Sequence, residues 1–288
     1  MYWIMTDSTA DLPQSYLAAQ EKLRVVNMSY IMDGQSHIPD GTDEGSRTIY
    51  AALRAGKVIT TAQINCEEWR MHFSALLDAG EDVLAIIFSS GLSGTYAAAQ
   101  QAAEELRPLY PQRQLAVVDS LCASLGEGLL VDYVLRNRAA GMSLAENAAW
   151  VEANRLNIVH WFTVDDLMFL RRGGRVSAAS AYLGTMIRIK PILHVDSEGH
   201  LIPREKVQGR KRSLRTLCDK LLEYAVDPAE QTVFISHGDC EEEARALADM
   251  IRERAGVKRI MLGYIGPIVG SHSGPGTMAV FFLGDGRK

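Results

Sequence analysis

The residues best suited to chemistry sit in short polar loops between apolar runs. Ser89-Ser90-Gly91-Leu92-Ser93-Gly94-Thr95 joins an apolar run to an Ala-rich stretch. Its two glycines let the backbone turn tightly and approach a ligand, and a helix start behind them offers unpaired N–H groups at the positive end of a dipole. An anion suits that place. Backbone at Gly94 and Thr95 and the hydroxyls of Ser93 and Thr95 would supply donors to a carboxylate or phosphate. The segment is also one residue from the G-x-S-x-G elbow, with Thr95 where the last glycine belongs, so Ser93 doubles as a candidate nucleophile. An ordinary capped strand-to-helix turn explains the same spacing.

Three further clusters carry donors. Thr60-Thr61-Ala62-Gln63 follows the strand-like Val58-Ile59 and would bring a hydroxyl beside the first loop if the two strands are neighbours; simple helix capping is the plainer reading. The stretch from Gly266 to Thr277 is too rich in Gly and Pro for regular structure, yet it joins two apolar strands and holds His272 among hydroxyls. His272 there can donate to a carboxylate, act as a base or satisfy backbone groups. No Lys follows the glycines, so it is not a P-loop. Arg171-Arg172-Gly173-Gly174-Arg175 offers planar forks suited to carboxylate or phosphate, or else a solvated basic turn. The denser run from Arg204 to Arg215, with Lys206, Arg210, Lys211 and Arg212 against the single acid Glu205, is a candidate docking surface for an anionic partner.

Acidic and metal-type residues argue for less. Adjacent Asp165 and Asp166 point apart on any regular element, so a helix cap suits them better than a shared site. His237-Gly238-Asp239-Cys240 has three ligand types but no second ligand set, and no metal is expected. The four cysteines form no C-x-x-C pair, which fits a reducing cytosol rather than a disulfide framework. A net charge of −5 argues against nucleic acid as the main partner. No apolar run reaches the roughly 18 residues of a spanning helix. The start of the chain lacks a signal-peptide pattern, and a cytoplasmic location is expected.

The elements that must position these loops alternate in type, which predicts α/β with mostly parallel strands. Residues 83–88 and 115–118 read as buried strands around a helix over Thr95–Leu106. Asn65 with Glu68, and Ser143 with Glu146, form capping boxes; Gly80, Gly141 and Gly256 mark helix ends. Asp33-Gly34, between residues 25–32 and 35–38, predicts a tight hairpin inserted into the parallel layout. Beyond about residue 155 the pattern turns to α+β. Strands at 189–195, 232–236, 259–265 and 278–283 alternate with helices at 165–170, 213–225 and 241–255, and Asp196-Ser197-Glu198-Gly199 starts an antiparallel return. The expected units are a Rossmann-like domain over residues 1–155 and an α+β domain over 156–288. At 288 residues either arrangement buries a full core.

Read in order, these segments resemble the DegV family. The matching stretches are Thr6-Asp7-Ser8-Thr9-Ala10-Asp11-Leu12-Pro13, the loop over 89–96, Phe162-Thr163-Val164-Asp165-Asp166-Leu167 running into Arg171 and on to Ser177, Lys190-Pro191-Ile192-Leu193, and Gly266 to Thr277. The resemblance implies a DegV-like pair of domains with a long-chain fatty acid such as palmitate, stearate or oleate between them. It places the carboxylate on Thr61 and Ser93, with His272 and one arginine of the Arg171-Arg172 pair close by. It further implies a carrier with no catalytic residue and no cofactor, making at most transient membrane contact. An ATP-dependent fatty acid kinase would perform the chemistry, forming acyl phosphate for phospholipid synthesis and docking at Arg204 and Lys206. Two departures stand out. The family's Thr-Ser-Gln-Pro-Ser is here Thr61-Ala62-Gln63-Ile64-Asn65, and Gln208 stands where arginine is common. The rival from another class is a serine esterase or acyl-transfer enzyme using Ser93 with His272 as base.

Overall fold

Short apolar runs bounded by turn residues set the sheets. The structure, a computed structural model, describes residues 1–176 and 189–287; Ser177 of the basic motif lies outside them. Strands β1 (Trp3–Asp7), β2 (Leu23–Val26), β6 (Val83–Ile87) and β7 (Leu115–Asp119) form an all-parallel sheet in the order β2-β1-β6-β7. Every residue of β6 is buried, as a central parallel strand requires. Helices α3 (Cys66–Leu77) and α4 (Thr95–Leu106) cover one face; α5 (Leu125–Ala139) and α6 (Leu144–Asn154) cover the other. Asn65 and Ser143 complete both capping boxes. Gly80, Gly141 and Gly256 take φ of 77°, 95° and 67°.

The segment 25–32 is not one strand. Met28 N donates to Ser8 Oγ, and after β2 the chain leaves the parallel sheet. β3 (Ser29–Met32) turns through Asp33 and Gly34, with φ of 53° and 78°, into β4 (Gln35–His37). The hairpin is therefore present but not inserted into the parallel sheet: with β5 (Thr60–Ala62) it forms a separate antiparallel sheet, β4-β3-β5. Short α1 (Gln14–Leu17) and the amphipathic α2 (Asp43–Arg54) complete this part of the chain.

A six-stranded mixed sheet follows, in the order β10-β9-β8-β13-β11-β12. Its strands are β8 (Ile158–Thr163), β9 (Ile189–Val195), β10 (Leu201–Gln208), β11 (Thr232–His237), β12 (Arg259–Tyr264) and β13 (Met278–Leu283). Among the described strands of this sheet only β11 and β12 pair in parallel. α8 (Arg210–Tyr224) and α9 (Glu241–Ala255) cover its outer face, while α7 (Leu167–Arg172) and α10 (Pro267–Ser273) flank the strand ends. α5 packs against β1 and β6 on one side and β8, β11 and β13 on the other. Sandwiched between two sheets, it is buried on nearly every side from Leu125 to Leu135, Glu127 and Asp132 included, and shows no amphipathic stripe.

One expectation fails outright. The Gly266–Thr277 stretch is not wholly irregular, because it contains α10. Pro267 sits in the first turn, where a missing N–H costs nothing, and Gly274 stops the helix at a φ of 81°.

Candidate functional site

A cavity of about 440 Å³ lies between the loops at the ends of the parallel sheet and the face of β8 and β13. Strand periodicity builds its floor. In the antiparallel pair Ala279 sits opposite Phe162, and Phe281 opposite His160; with Thr277 these alternate residues point to one side. Phe88 and Leu92 close it from the β6 loop, and Ile268 from α10.

Polar groups cluster near one end. Thr61 Oγ1 lies 2.8 Å from His272 Nε2, joining β5 to α10 across 211 residues of chain. Ser93, Gly94, Gln63 and Arg175 line the same region. Gly94 stands at the start of α4 without a side-chain cap of its own, and the first N–H of the helix, at Thr95, is met by Ser93 Oγ at 3.3 Å. The backbone at Gly173 packs so closely on His272 that a Cβ there would collide with Nδ1. Burial and the charge of Arg175 pull His272 down to about 4, so it is neutral near pH 7. Arg175 is half-buried and anchored: Nε donates to the Leu92 carbonyl at 3.3 Å and Nη1 to the Gly173 carbonyl.

The inner region is carbon-faced despite its histidine. His160 Nδ1 donates to the Ile158 carbonyl at 3.0 Å, and Nε2 accepts from Ala123 N at 3.2 Å. This pairing fixes the tautomer and leaves neither nitrogen free. Burial holds His160 well below the usual histidine range.

Several sequence expectations are redistributed by the geometry. Thr61, Ser93, Gly94 and His272 converge on the cavity. β5 belongs to the small sheet rather than neighbouring β6, so Thr61 arrives from a different sheet than expected. Thr95 does not line the cavity: its hydroxyl accepts from Ile64 N at 3.0 Å and its N–H donates to Ser93 Oγ at 3.3 Å. Arg171 and Arg172 are exposed and absent from the lining, Arg172 stacking on Phe169; among the described residues the arginine in the lining is Arg175. The reason lies in α7, whose last turn carries Arg171 and Arg172 outward while Gly173 and Gly174 redirect the chain. Asp166 caps α7 and Asp165 pairs with Lys190 at 2.8 Å. Arg204 and Lys206 lie exposed on the edge strand β10, and Arg210, at the start of α8, pairs with Glu243 and Asp165. Among the described residues no cluster of three metal-type side chains occurs, and no helix is long and apolar enough to cross a membrane.

A second cavity, about 620 Å³, opens beyond Ile268. It is larger but polar, and its charged lining is largely self-paired, as in Arg245 with Glu241 and Arg252 with Asp249. Of the two, the smaller combines an apolar floor with gathered donors.

Fold and site together define a mixed α/β protein with an apolar-floored cavity in which polar groups gather. The chain belongs to the DegV family, whose model matches residues 2–285. A DegV domain-containing protein of Clostridium perfringens is 42% identical over 99% of this chain and 98% of its own length. Among solved structures, a DegV lipid-binding protein from Thermotoga maritima superposes with a TM-score of 0.87 at 27% identity, covering 100% of both chains. A DegV-family protein from Thermus thermophilus, described as binding fatty acid, gives 0.86 at 28% identity over 98% of this chain and 99% of its own.

Proposed function

We propose that this chain binds one long-chain fatty acid, such as palmitate, stearate or oleate, with the tail along the β8–β13 floor and the carboxylate at Thr61 and Ser93. The observation that carries the reading is the gathering of Thr61, His272, Ser93 and Arg175 in one region of a cavity where His160, Ser124 and Thr277 are already hydrogen-bonded within the protein; the Ser273 hydroxyl, also in the lining, has no partner among the described residues. Burying a chain of about 16 carbons at about 0.8 kcal/mol per methylene contributes on the order of 10 kcal/mol before ordering costs. A desolvated carboxylate then needs several donors. If neutral His272 gives its Nε2–H to Thr61 Oγ1, the Thr61 hydroxyl is free to donate to the acid, and His272 acts through Thr61. Ser93, the first turn of α4 and the Arg175 guanidinium complete the set, Arg175 taking the role assigned from sequence to Arg171 or Arg172. The lipid-binding and fatty-acid-binding relatives above support this assignment.

In this reading residues 1–155 and 156–288 are two domains that enclose the ligand in the cytoplasm, with transient membrane contact at most. The protein is a carrier. An ATP-dependent fatty acid kinase docks at Arg204 and Lys206 and makes acyl phosphate for phospholipid synthesis, so catalysis belongs to the partner. The esterase alternative fits the geometry poorly: no Ser93–His272 hydrogen bond is present among the described residues, and Gly173 rather than an acid stands at His272 Nδ1.

Organic extraction of the purified protein and mass spectrometry of the extract test the reading, together with thermal shift against oleate and palmitate. A copurifying fatty acid, or a clear rise in Tm, is expected. An empty protein indifferent to both acids would remove the proposal, and covalent labelling of Ser93 by a fluorophosphonate would restore the esterase.

A further inference from the structure

Beneath the head-group loops, Asp7 and Glu127 face each other with no exposed surface. Thr9 stands between them, its Oγ1 lying 2.5 Å from Asp7 Oδ1 and 2.9 Å from Glu127 Oε2. A threonine hydroxyl has one hydrogen. Were both acids ionised, one of these contacts would set lone pair against lone pair in a buried site. One carboxyl therefore carries a proton and donates it to Thr9.

The remaining partners decide which. Asp7 accepts two backbone amides, Thr9 N on Oδ1 and Phe88 N on Oδ2, each at 3.0 Å. Amides only donate, and such bonds favour the anion. Glu127 meets hydroxyls alone, with Thr6 Oγ1 2.7 Å from Oε1, and a hydroxyl can turn to accept. The first turn of α5 favours a Glu127 anion slightly, but burial and the adjacent Asp7 charge both oppose it. The proton sits on Glu127 Oε2, is donated to Thr9 Oγ1, and Thr9 donates in turn to Asp7.

This chain of bonds ends on the machinery of the proposed ligand site. Phe88 begins the loop that carries Ser93. The same turn ends at Asp11, whose Oδ1 accepts from Gly266 N at 2.9 Å, fixing the start of the helix that holds His272. Asp11 Oδ2 accepts from Ser124 Oγ at 2.6 Å, and Ser124 lines the cavity.

We propose that Glu127, held as a neutral acid, is a positioning residue that sets the Ser93 loop through Thr9 and Asp7; the link to affinity rests on the fatty-acid reading above. Among the described residues few other titratable groups face it. Asp11 comes from the same turn and Cys122 from ahead of α5. β8 supplies His160, with both nitrogens engaged, and β11 supplies His237, buried at the sheet end. β6 and β13 present only apolar residues, and the α6 acids Glu146 and Glu152 are exposed.

The full-length protein is compared as wild type, Glu127→Gln, Glu127→Ala and Asp7→Asn. The side-chain amide introduced by Glu127→Gln is neutral and can still donate to Thr9 and accept from Thr6. An acid raised in the folded state loses stability as pH rises above its unfolded value. Without ligand, wild-type Tm should therefore fall more steeply than that of Glu127→Gln as pH rises above the ordinary glutamate value of 4.5. Parallel profiles would overturn the neutral assignment. Glu127→Gln should keep oleate affinity, while Glu127→Ala and Asp7→Asn should weaken it about tenfold or more, the scale of a lost hydrogen bond to a charge. Should Glu127→Ala fail to fold, Glu127→Gln and Asp7→Asn still decide. Glu127→Gln binding as poorly as Asp7→Asn would overturn the positioning role. Failure of wild type to bind oleate would sink the fatty-acid reading, yet the ligand-free Tm profiles would still decide the proton.

Discussion

Two histidines mark the contrast between the ends of the cavity. His272 and His160 are both neutral by burial. His160 has spent both nitrogens on backbone groups, whereas His272 meets a threonine hydroxyl that retains capacity for another bond. What separates a head-group site from a tail site is thus not polarity of residue type but unspent hydrogen-bonding capacity. In the proposed binding mode a carboxylate finds its donors beside His272, while His160 has none left to offer.

The strongest way to break this contrast is to remove the mouth's hydroxyls. In Thr61→Val with Ser93→Ala, each lost bond to a charge is worth about 1.5–3 kcal/mol, so oleate affinity measured by calorimetry should fall at least about a hundredfold with little change in Tm. Unaltered affinity would place the head group elsewhere. At the inner end, Gly126→Ala forces a methyl into His160 Nε2. Overpacking of this kind costs about 1–3 kcal/mol, which urea denaturation should record as lost stability.

pH sharpens the comparison further. The unfolded chain protonates His272 near 6.5 while the folded form resists until about 4. Its contribution to stability is complete above about pH 6.5 and lost as pH falls toward 4. His272→Asn should therefore flatten part of the Tm decline between about pH 6.5 and about pH 4, and a slope identical to wild type would refute the assignment. The smallest effect on the cavity is expected from Arg204→Ala with Lys206→Ala. Oleate affinity should be unchanged while acyl phosphate formation with a fatty acid kinase slows; lost lipid binding would give these residues a structural role instead.

The elements most legible in the sequence were those whose signals are local. The capping boxes at Asn65 and Ser143, the Asp33-Gly34 turn and α4 over Thr95–Leu106 follow from short-range chemistry. What escaped depends on tertiary context. α5 shows no stripe because both its sides are buried, and the proton on Glu127 follows from contacts 118 and 121 residues away. Arg175 was part of a visible basic motif, but which arginine turns inward is set by α7 ending at Arg172 and by the two glycines after it. The helix α10 was hidden by its own caps, since Pro267 and Gly274 read as breakers when they are terminators.

The most direct measurement is NMR of oleate carrying ¹³C at the carboxyl, bound to the intact protein. One equivalent should give a single protein-bound carboxyl resonance that does not titrate between about pH 5 and about pH 8, as expected for an anion met by hydroxyls and Arg175. That resonance should disappear in the Thr61→Val, Ser93→Ala variant. A carboxyl signal that titrates like free oleate, or one the double variant leaves in place, would contradict a head group seated at Thr61 and Ser93.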